Sequence, residues 1–443
     1  MGLRATACAW VRNTVLRALP RGRFARSVTV LAGGAALGQA ITVLVSPILT
    51  RLYSPEDFGI FGVYASMLGI ITVIASLRYE YAIPLPEDDE TAANILALCF
   101  VLLLGMTTLS WFVIQGLGSR ITSWANVPGL RRYLWLVPLG ILGAGTYQVL
   151  NYWAVRKRDF RRIARTRVSR GVGRAAIQVG VGFASAGPLG LLLGQLAGET
   201  AGSASLGWAA WVKDRSSLKA INLAGMRRAG ARYRRFPLLS SWGGLLDALG
   251  LHVPQVLFAA FYGAEVAGWF ALGQRVIAAP LNLVGDSVAQ VYFGEAARLP
   301  RDDTKAMRRL FLKLTGRLAL TGGLPVAVIC ALAPWLFTIF FGPEWETAGR
   351  YVQILGLMFA VRFAIVPLAH TLNILERQDL YLFWDGTRAA LVVGSLLMGK
   401  VVGFSHIAAV GTYSLAMLIA YIILWGLAWH ALKVKSRGGG QEA

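Results

Sequence analysis

Five arginines, Arg174, Arg275, Arg317, Arg362 and Arg388, lie inside stretches of this 443-residue chain that are otherwise apolar. An ionised side chain in such a stretch is costly unless it faces water or a partner, so each position needs a reason. The guanidinium is a rigid fork of donors that matches phosphate oxygens in pairs, and the chemistry these residues could do is recognition of an anionic, phosphorylated ligand. Four acids share the same stretches: Asp247, Glu199, Asp286 and Asp385. They could bind a coupling cation or serve as structural partners of the arginines. Asp385 precedes Arg388 by three residues, on one helical face, and Asp247 is positioned to pair with Arg275. For Arg174, Arg317 and Arg388 the favoured reading is snorkelling or local pairing. For Arg275 and Arg362, contact with a wet cavity and structural pairing stand level.

The elements that must position these groups follow from composition. Hydrophobic residues make up 56% of the chain and charged residues 15%, and the mean hydropathy is +0.56. That balance belongs to a bilayer protein. The net charge of +22 would suggest nucleic acid in a soluble chain, but the apolar runs make it a matter of membrane topology instead. Runs of about 20 residues predict twelve transmembrane helices near 28–50, 58–77, 91–115, 133–154, 171–186, 188–212, 238–260, 264–290, 314–341, 350–372, 381–399 and 406–430. Residues 1–27 read as a basic arm before the first span, because the run that follows is too long for a cleaved signal core.

Charge supports the count. With both termini on the cytoplasmic side, 33 of the 44 Lys and Arg residues fall in cytoplasmic segments, six fall on the opposite side and five lie within spans. This is the asymmetry of a protein of a bacterial inner membrane. Arg78 and Glu80, at the cytoplasmic end of the second span, are a candidate gate pair or, as the favoured reading, an anchor at the interface.

The chain also repeats itself. Tyr53, Glu56, Gly59 and Phe61 recur 209 positions later as Tyr262, Glu265, Gly268 and Phe270. Pro86, Asp88, Asp89 and Ala92 recur 214 positions later as Pro300, Asp302, Asp303 and Ala306. Both echoes fall after corresponding spans of two halves, which predicts parallel six-helix repeats: an N-lobe over 28–212, a basic loop over 213–237, a C-lobe over 238–430 and a tail over 431–443.

The remaining motifs read as structure. Tyr53-Ser54-Pro55-Glu56-Asp57 is a turn with an acidic cap for the next helix, and Gly342-Pro343 followed by Trp345 is a turn carrying an interfacial aromatic. Cys8, Cys99 and Cys330 are too scattered for a disulfide framework. His252, His370, His406 and His430 lack metal-ligand spacing, so no metal or cofactor is expected. No G-x-x-x-x-G-K-[ST] sequence offers a nucleotide site.

The stretch from Leu49 to Ala82, LTRLYSPEDFGIFGVYASMLGIITVIASLRYEYA, resembles the N-terminal signature of bacterial polysaccharide-export flippases. Residues 152–163, YWAVRKRDFRRI, and 341–355, FGPEWETAGRYVQIL, are similar to two further signatures of that group. The resemblance extends from about residue 26 to residue 430. It implies the fold of the multidrug, oligosaccharidyl-lipid and polysaccharide exporter superfamily, with two six-helix lobes around a central cavity that works by alternating access. It also implies a substrate, an undecaprenyl-pyrophosphate-linked repeat unit of O-antigen, capsule or exopolysaccharide. The expected partners are that lipid-linked oligosaccharide, membrane lipids and the polymerase and chain-length regulator of polysaccharide assembly, with no nucleic acid. A cation-coupled drug exporter of the same superfamily is the alternative and would show an acid-rich cavity. A membrane glycosyltransferase or polymerase would need a large catalytic loop, and no outer loop exceeds about 20 residues.

Overall fold

The computed structural model describes residues 23–184, 187–298 and 304–438. These residues build an all-α membrane protein of twelve spans in two six-helix lobes. The N-lobe holds α1 (Arg23–Leu44, continued after Val45 by Ser46–Leu52), α2 (Pro55–Ile74), α3 (Asp89–Trp124), α4 (Leu136–Arg156), α5 (Phe160–Ala184) and α6 (Leu189–Thr200, resumed as Ser203–Lys213). The C-lobe holds α7 (Ser241–Tyr262), α8 (Ala264–Arg298), α9 (Thr304–Leu318, a π-helical turn Ala319–Gly323, then Leu324–Ala331), α10 (Glu346–Ile365), α11 (Gln378–Val402) and α12 (His406–Gly438). An even number of spans returns both ends of the described chain to one face. That face carries the basic loops and is called the basic face below.

Eight of these helices are long and apolar enough to cross a membrane on their own composition. The other four, α4, α5, α6 and α11, carry the polar groups that a protein neighbour must satisfy. In α5 the basic turns near Arg170 and Arg174 pack on α6, and α6 is broken at Ala201–Gly202. The bounds of two spans differ from those expected of apolarity alone. Helix α3 has 36 residues, about 54 Å at 1.5 Å per residue, and overshoots a hydrocarbon core of about 30 Å. Helix α9 starts ten residues before position 314, since a basic amphipathic segment forms helix as readily as an apolar one. It stops at Ala331, and Ala333–Phe341 is a separate helix with Pro334 in its first turn. The expected arm falls mostly on residues 1–22, and Pro300, Asp302 and Asp303 of the second echo also lie outside the described residues.

The turn between α1 and α2 is a capped helix start. Ser54 Oγ accepts from the Asp57 amide at 3.2 Å, and the Asp57 carboxylate accepts from the Ser54 amide at 3.0 Å. Tyr53 is buried beside it and donates to the Gln178 carbonyl at 2.5 Å.

The lobes meet through α2, which packs along α7 and α8. At the face opposite the basic one, the first echo becomes a contact. A Cβ on Gly59 would lie less than 3.0 Å from the Ala264 carbonyl oxygen, and a Cβ on Gly268 would lie less than 3.0 Å from the Pro55 carbonyl oxygen. Pro55 and Ala264 are themselves 209 positions apart, so the two halves clasp each other through equivalent atoms. Only glycine allows two helix starts to approach this closely. Trp345 adds a bolt. It is not an interfacial aromatic: it is 1% exposed, donates to the Thr50 carbonyl at 3.2 Å and stands edge-on to Phe58 with centroids 4.9 Å apart. An indole from the α9–α10 connection is thus buried in the N-lobe, so the lobes are closed on this face.

A candidate anion-binding cleft

Helix α8 carries a line of polar side chains along one side. Arg275 lies eleven residues from its start, about 16 Å deep, and Asn282 lies two turns further along the same side. Arg275 is half-buried among the helices of both lobes. Its recorded hydrogen-bond partner is the Thr42 carbonyl of α1 at 3.2 Å, and its Nε is buried without a partner. Its charged neighbour is Arg174 of the N-lobe.

Arg174 and Arg170, one turn apart on α5, share a single carboxylate. Glu199 of α6 lies 3.0 Å from Arg174, pairs with Arg170 and accepts from Gln195 at 3.0 Å. Arg170 also covers the ring of Tyr147 at 4.1 Å, and the Arg174 Nε has no partner. Among the described residues these three guanidinium groups have one carboxylate, Glu199, in salt-bridge range, which leaves an excess of two positive charges. Such an excess with unfilled donors is what an anionic ligand would complete.

Arg362 of α10 donates to Asn282 at 2.7 Å, and its neighbour Asp286 also feels His370. Seven residues along α8 separate this group from Arg275, or about 10 Å along the axis. Arg275 and the Asn282–Arg362 pair thus lie along one side of α8 at different depths.

The other candidates are placed elsewhere. Arg388 of α11 is 10% exposed and bound by two acids, Asp247 of α7 at 2.9 Å and Asp385 at 3.1 Å, with Trp384 below its plane at 4.7 Å. Asp247 therefore partners Arg388 and not Arg275, so this ion triad ties α7 to α11. Arg317 is exposed on α9, and among the described residues no hydrogen bond or ion pair joins its side chain to the others. Among the described residues no hydrogen bond or ion pair joins Arg78 to Glu80. Arg78, in a left-handed backbone conformation, donates to Tyr81 at 2.6 Å and packs on Gly244 of α7. Glu80 is fully buried in the N-lobe, where Gln148 donates to it at 2.8 Å and Ser76 donates to it as well. The sequence reading missed Arg170 because it counted as part of a basic loop. Its position four residues before Arg174 was the available signal.

Comparison with known proteins fits this geometry. Residues 48–350 match the family model described as polysaccharide biosynthesis protein. The chain belongs to the polysaccharide biosynthesis protein family. Among its relatives, the teichuronic acid biosynthesis protein TuaB of Bacillus subtilis is 25% identical over 42% of this chain and 38% of its own length, so the chain spans well under half of that relative. The succinoglycan biosynthesis transport protein ExoT of Rhizobium meliloti is 24% identical over 81% of this chain and 70% of its own length. Solved structures of the same fold include the lipid II flippase MurJ in an inward closed conformation, with a TM-score of 0.67 at 11% identity, covering 93% of this chain and 90% of that one. An inward-facing multidrug transporter of the MATE family aligns with a TM-score of 0.60 at 13% identity, covering 92% and 95%. The family match and the apolar spans make this chain a multi-pass membrane protein of the polysaccharide biosynthesis protein family, with the fold of the solved transporters above.

Proposed function

We propose that the protein flips an undecaprenyl-pyrophosphate-linked oligosaccharide, the repeat unit of an O-antigen, capsule or exopolysaccharide, from the cytoplasmic to the outer leaflet of the inner membrane. The basic face is cytoplasmic in this reading, as the placement of 33 bases in its segments requires. The N-lobe spans 28–212 and the C-lobe 238–430, joined by the basic loop. The observation that carries the proposal is Arg275, a cation deep in the cleft with no carboxylate in salt-bridge range among the described residues and an unfilled Nε. Among the described residues Glu199 and Asp286 lie beside arginines and Asp247 and Asp385 are held by Arg388, which argues against the acid-rich cavity of a cation exporter. The naming of ExoT as a succinoglycan transport protein and of MurJ as a lipid II flippase supports the same substrate class.

The mechanism is alternating access. With the glycine clasp and Trp345 closing the opposite face, the diphosphate enters from the basic face, meets Arg362 first and then Arg275 with Arg174 about 10 Å deeper. Opening of the clasp releases it outward. The test is translocation of a polyprenyl-diphosphate oligosaccharide in proteoliposomes containing the purified protein. Translocation of that lipid, unaffected by a tenfold excess of a lipophilic cation, is expected. Transport of the cation with no movement of the saccharide lipid would overturn the proposal in favour of drug export.

A further inference from the structure

A second feature lies within the C-lobe. A groove of about 490 Å³ runs between α9, α10 and α12, walled by Thr315, Ala319, Ala327, Ala360, Ala364 and Trp425 among others. It opens where α9 passes through the π-helical turn Ala319–Gly323, which widens the helix and removes side chains at two glycines. Such single π turns tend to occur at functional sites. Thr315 to Ala327 spans about 18 Å at 1.5 Å per residue, close to the half-thickness of a hydrocarbon core of about 30 Å.

The groove runs into a cationic mouth. On α9, Arg308, Leu312, Thr315 and Ala319 repeat at helical spacing along one side, and on α12 so do Ile422, Trp425, Trp429 and Lys433. Thr315 and Trp425 line the groove and meet at 3.4 Å. One turn nearer the basic face, Trp425 and Trp429 stack at 5.9 Å, with Phe311 against both. At the end of both stripes the two cations converge on one ring: the Arg308 Cζ lies 4.6 Å, and the Lys433 Nζ 5.5 Å, from the centre of Trp429. Lys305, Arg309 and Lys313 surround them in sequence. An apolar slot one leaflet deep with a basic, aromatic mouth has the polarity of an anionic lipid read from its tail upward.

We propose that this slot is a binding site for an anionic glycerophospholipid of the leaflet at the basic face, with its phosphate at Arg308 and Lys433 and one acyl chain along the groove. Basic pockets between helices on this side of a membrane hold acidic head groups through such contacts. The substrate's own tail is not the occupant. The groove side of α10, centred between Ala360 and Ile365, is turned about 130° from Arg362 at 100° per residue, so the slot and the cleft lie on different flanks of that helix. The site is therefore separate from the translocation path, and it fastens α9 to α12 within the C-lobe.

The test uses the full-length protein purified in detergent, with retained lipid counted by native mass spectrometry after titration with dioleoylphosphatidylglycerol or dioleoylphosphatidylcholine. The wild type is expected to retain one phosphatidylglycerol in preference to phosphatidylcholine. An Arg308→Gln, Lys433→Gln double variant should retain it about 30-fold less well, about fivefold for each cation removed. Ala319→Leu, which fills the groove and leaves both cations in place, should also lose retention, and it keeps the test open if the charge variant fails to fold. Equal retention of the two lipids, or undiminished phosphatidylglycerol in both variants, would overturn the proposal. Displacement of the bound lipid by equimolar undecaprenyl diphosphate would overturn it too, by assigning the groove to the substrate. No transport is measured in these experiments, so their outcome is independent of whether the protein is a flippase.

Discussion

Arg388 and Arg275 are the same residue type placed inside spans of the same lobe, and their surroundings differ in one respect. Arg388 has two carboxylates within 3.1 Å and an aromatic ring beneath it. Arg275 has a carbonyl at 3.2 Å and a second arginine as its charged neighbour. A membrane protein retains the first kind of cation for the pairing it makes in the folded state. The second kind gains nothing from the fold alone, so its stabilisation must come from something that arrives. The contrast teaches that depth in a span does not separate a functional charge from a structural one, whereas the balance of its neighbours does.

The largest effect that could break this comparison is on folding. Arg388→Gln strands Asp385, which is 6% exposed, and removes the tie to Asp247. The expected loss is about 3–5 kcal/mol, the cost of breaking a buried pair from one side, and it should appear as a sharp fall in membrane abundance. Adding Asp385→Asn should recover much of the protein. Normal abundance of the single variant would remove the structural reading of that site.

Next comes the opposite pattern at Arg275. Arg275→Gln should leave abundance unchanged and lower surface polysaccharide about tenfold or more, as loss of a charge-assisted hydrogen bond worth roughly 1.5–3 kcal/mol predicts. Arg275→Lys keeps the charge without the fork and should fall between the two. Arg362→Gln should cost less, because Asn282 already takes one of its donors. Export that fails only in step with abundance would make Arg275 a structural residue like Arg388.

A smaller effect is expected at the clasp that closes the cleft. Gly59→Leu or Gly268→Leu forces the lobes apart at the face opposite the basic one. A cysteine introduced at Thr50, which is buried beside Trp345, should then react faster with a membrane-impermeant thiol reagent than in the clasped protein, and unchanged labelling would show that the clasp is not a gate. The smallest effect belongs to a charge satisfied locally. Asp88 caps α3 by accepting from the Thr91 amide at 2.6 Å, and that bond holds its carboxyl below the ordinary range. Its contribution, about 1 kcal/mol for a cap, is complete above the unfolded carboxylate value of about 3.9 and is lost as pH falls through the lower folded value. Asp88→Asn should remove that part of the acid sensitivity of thermal unfolding with little change at pH 7.

Much of this was legible in the residues themselves. Apolar runs gave the spans because a bilayer demands them whatever the partners are, and the echo at 209 positions marked both the repeat and, through Gly59 and Gly268, the atoms of the clasp. The Asp385–Arg388 pair was legible from helical spacing. The partner of Asp247 was not, because Arg388 lies 141 residues away and no periodicity links two helices of separate sequence. Trp345 was misread for the same reason: its neighbours Thr50 and Phe58 belong to the other lobe, and an aromatic after a turn looks alike whether it meets lipid or protein. The bases ahead of position 314 hid the start of α9, since charge signals a loop to an apolarity scan while leaving helix formation intact.

The central claim is that Arg275 contacts the diphosphate, and its most direct test is binding of undecaprenyl diphosphate to purified protein. Wild type and Arg275→Gln would be compared, with Arg350→Gln as a control, because that exposed arginine pairs with Glu346 near the opposite face. At least about tenfold weaker binding by Arg275→Gln, with the control unchanged, is the predicted result. Equal affinity of the wild type and Arg275→Gln at equal thermal stability would contradict the account.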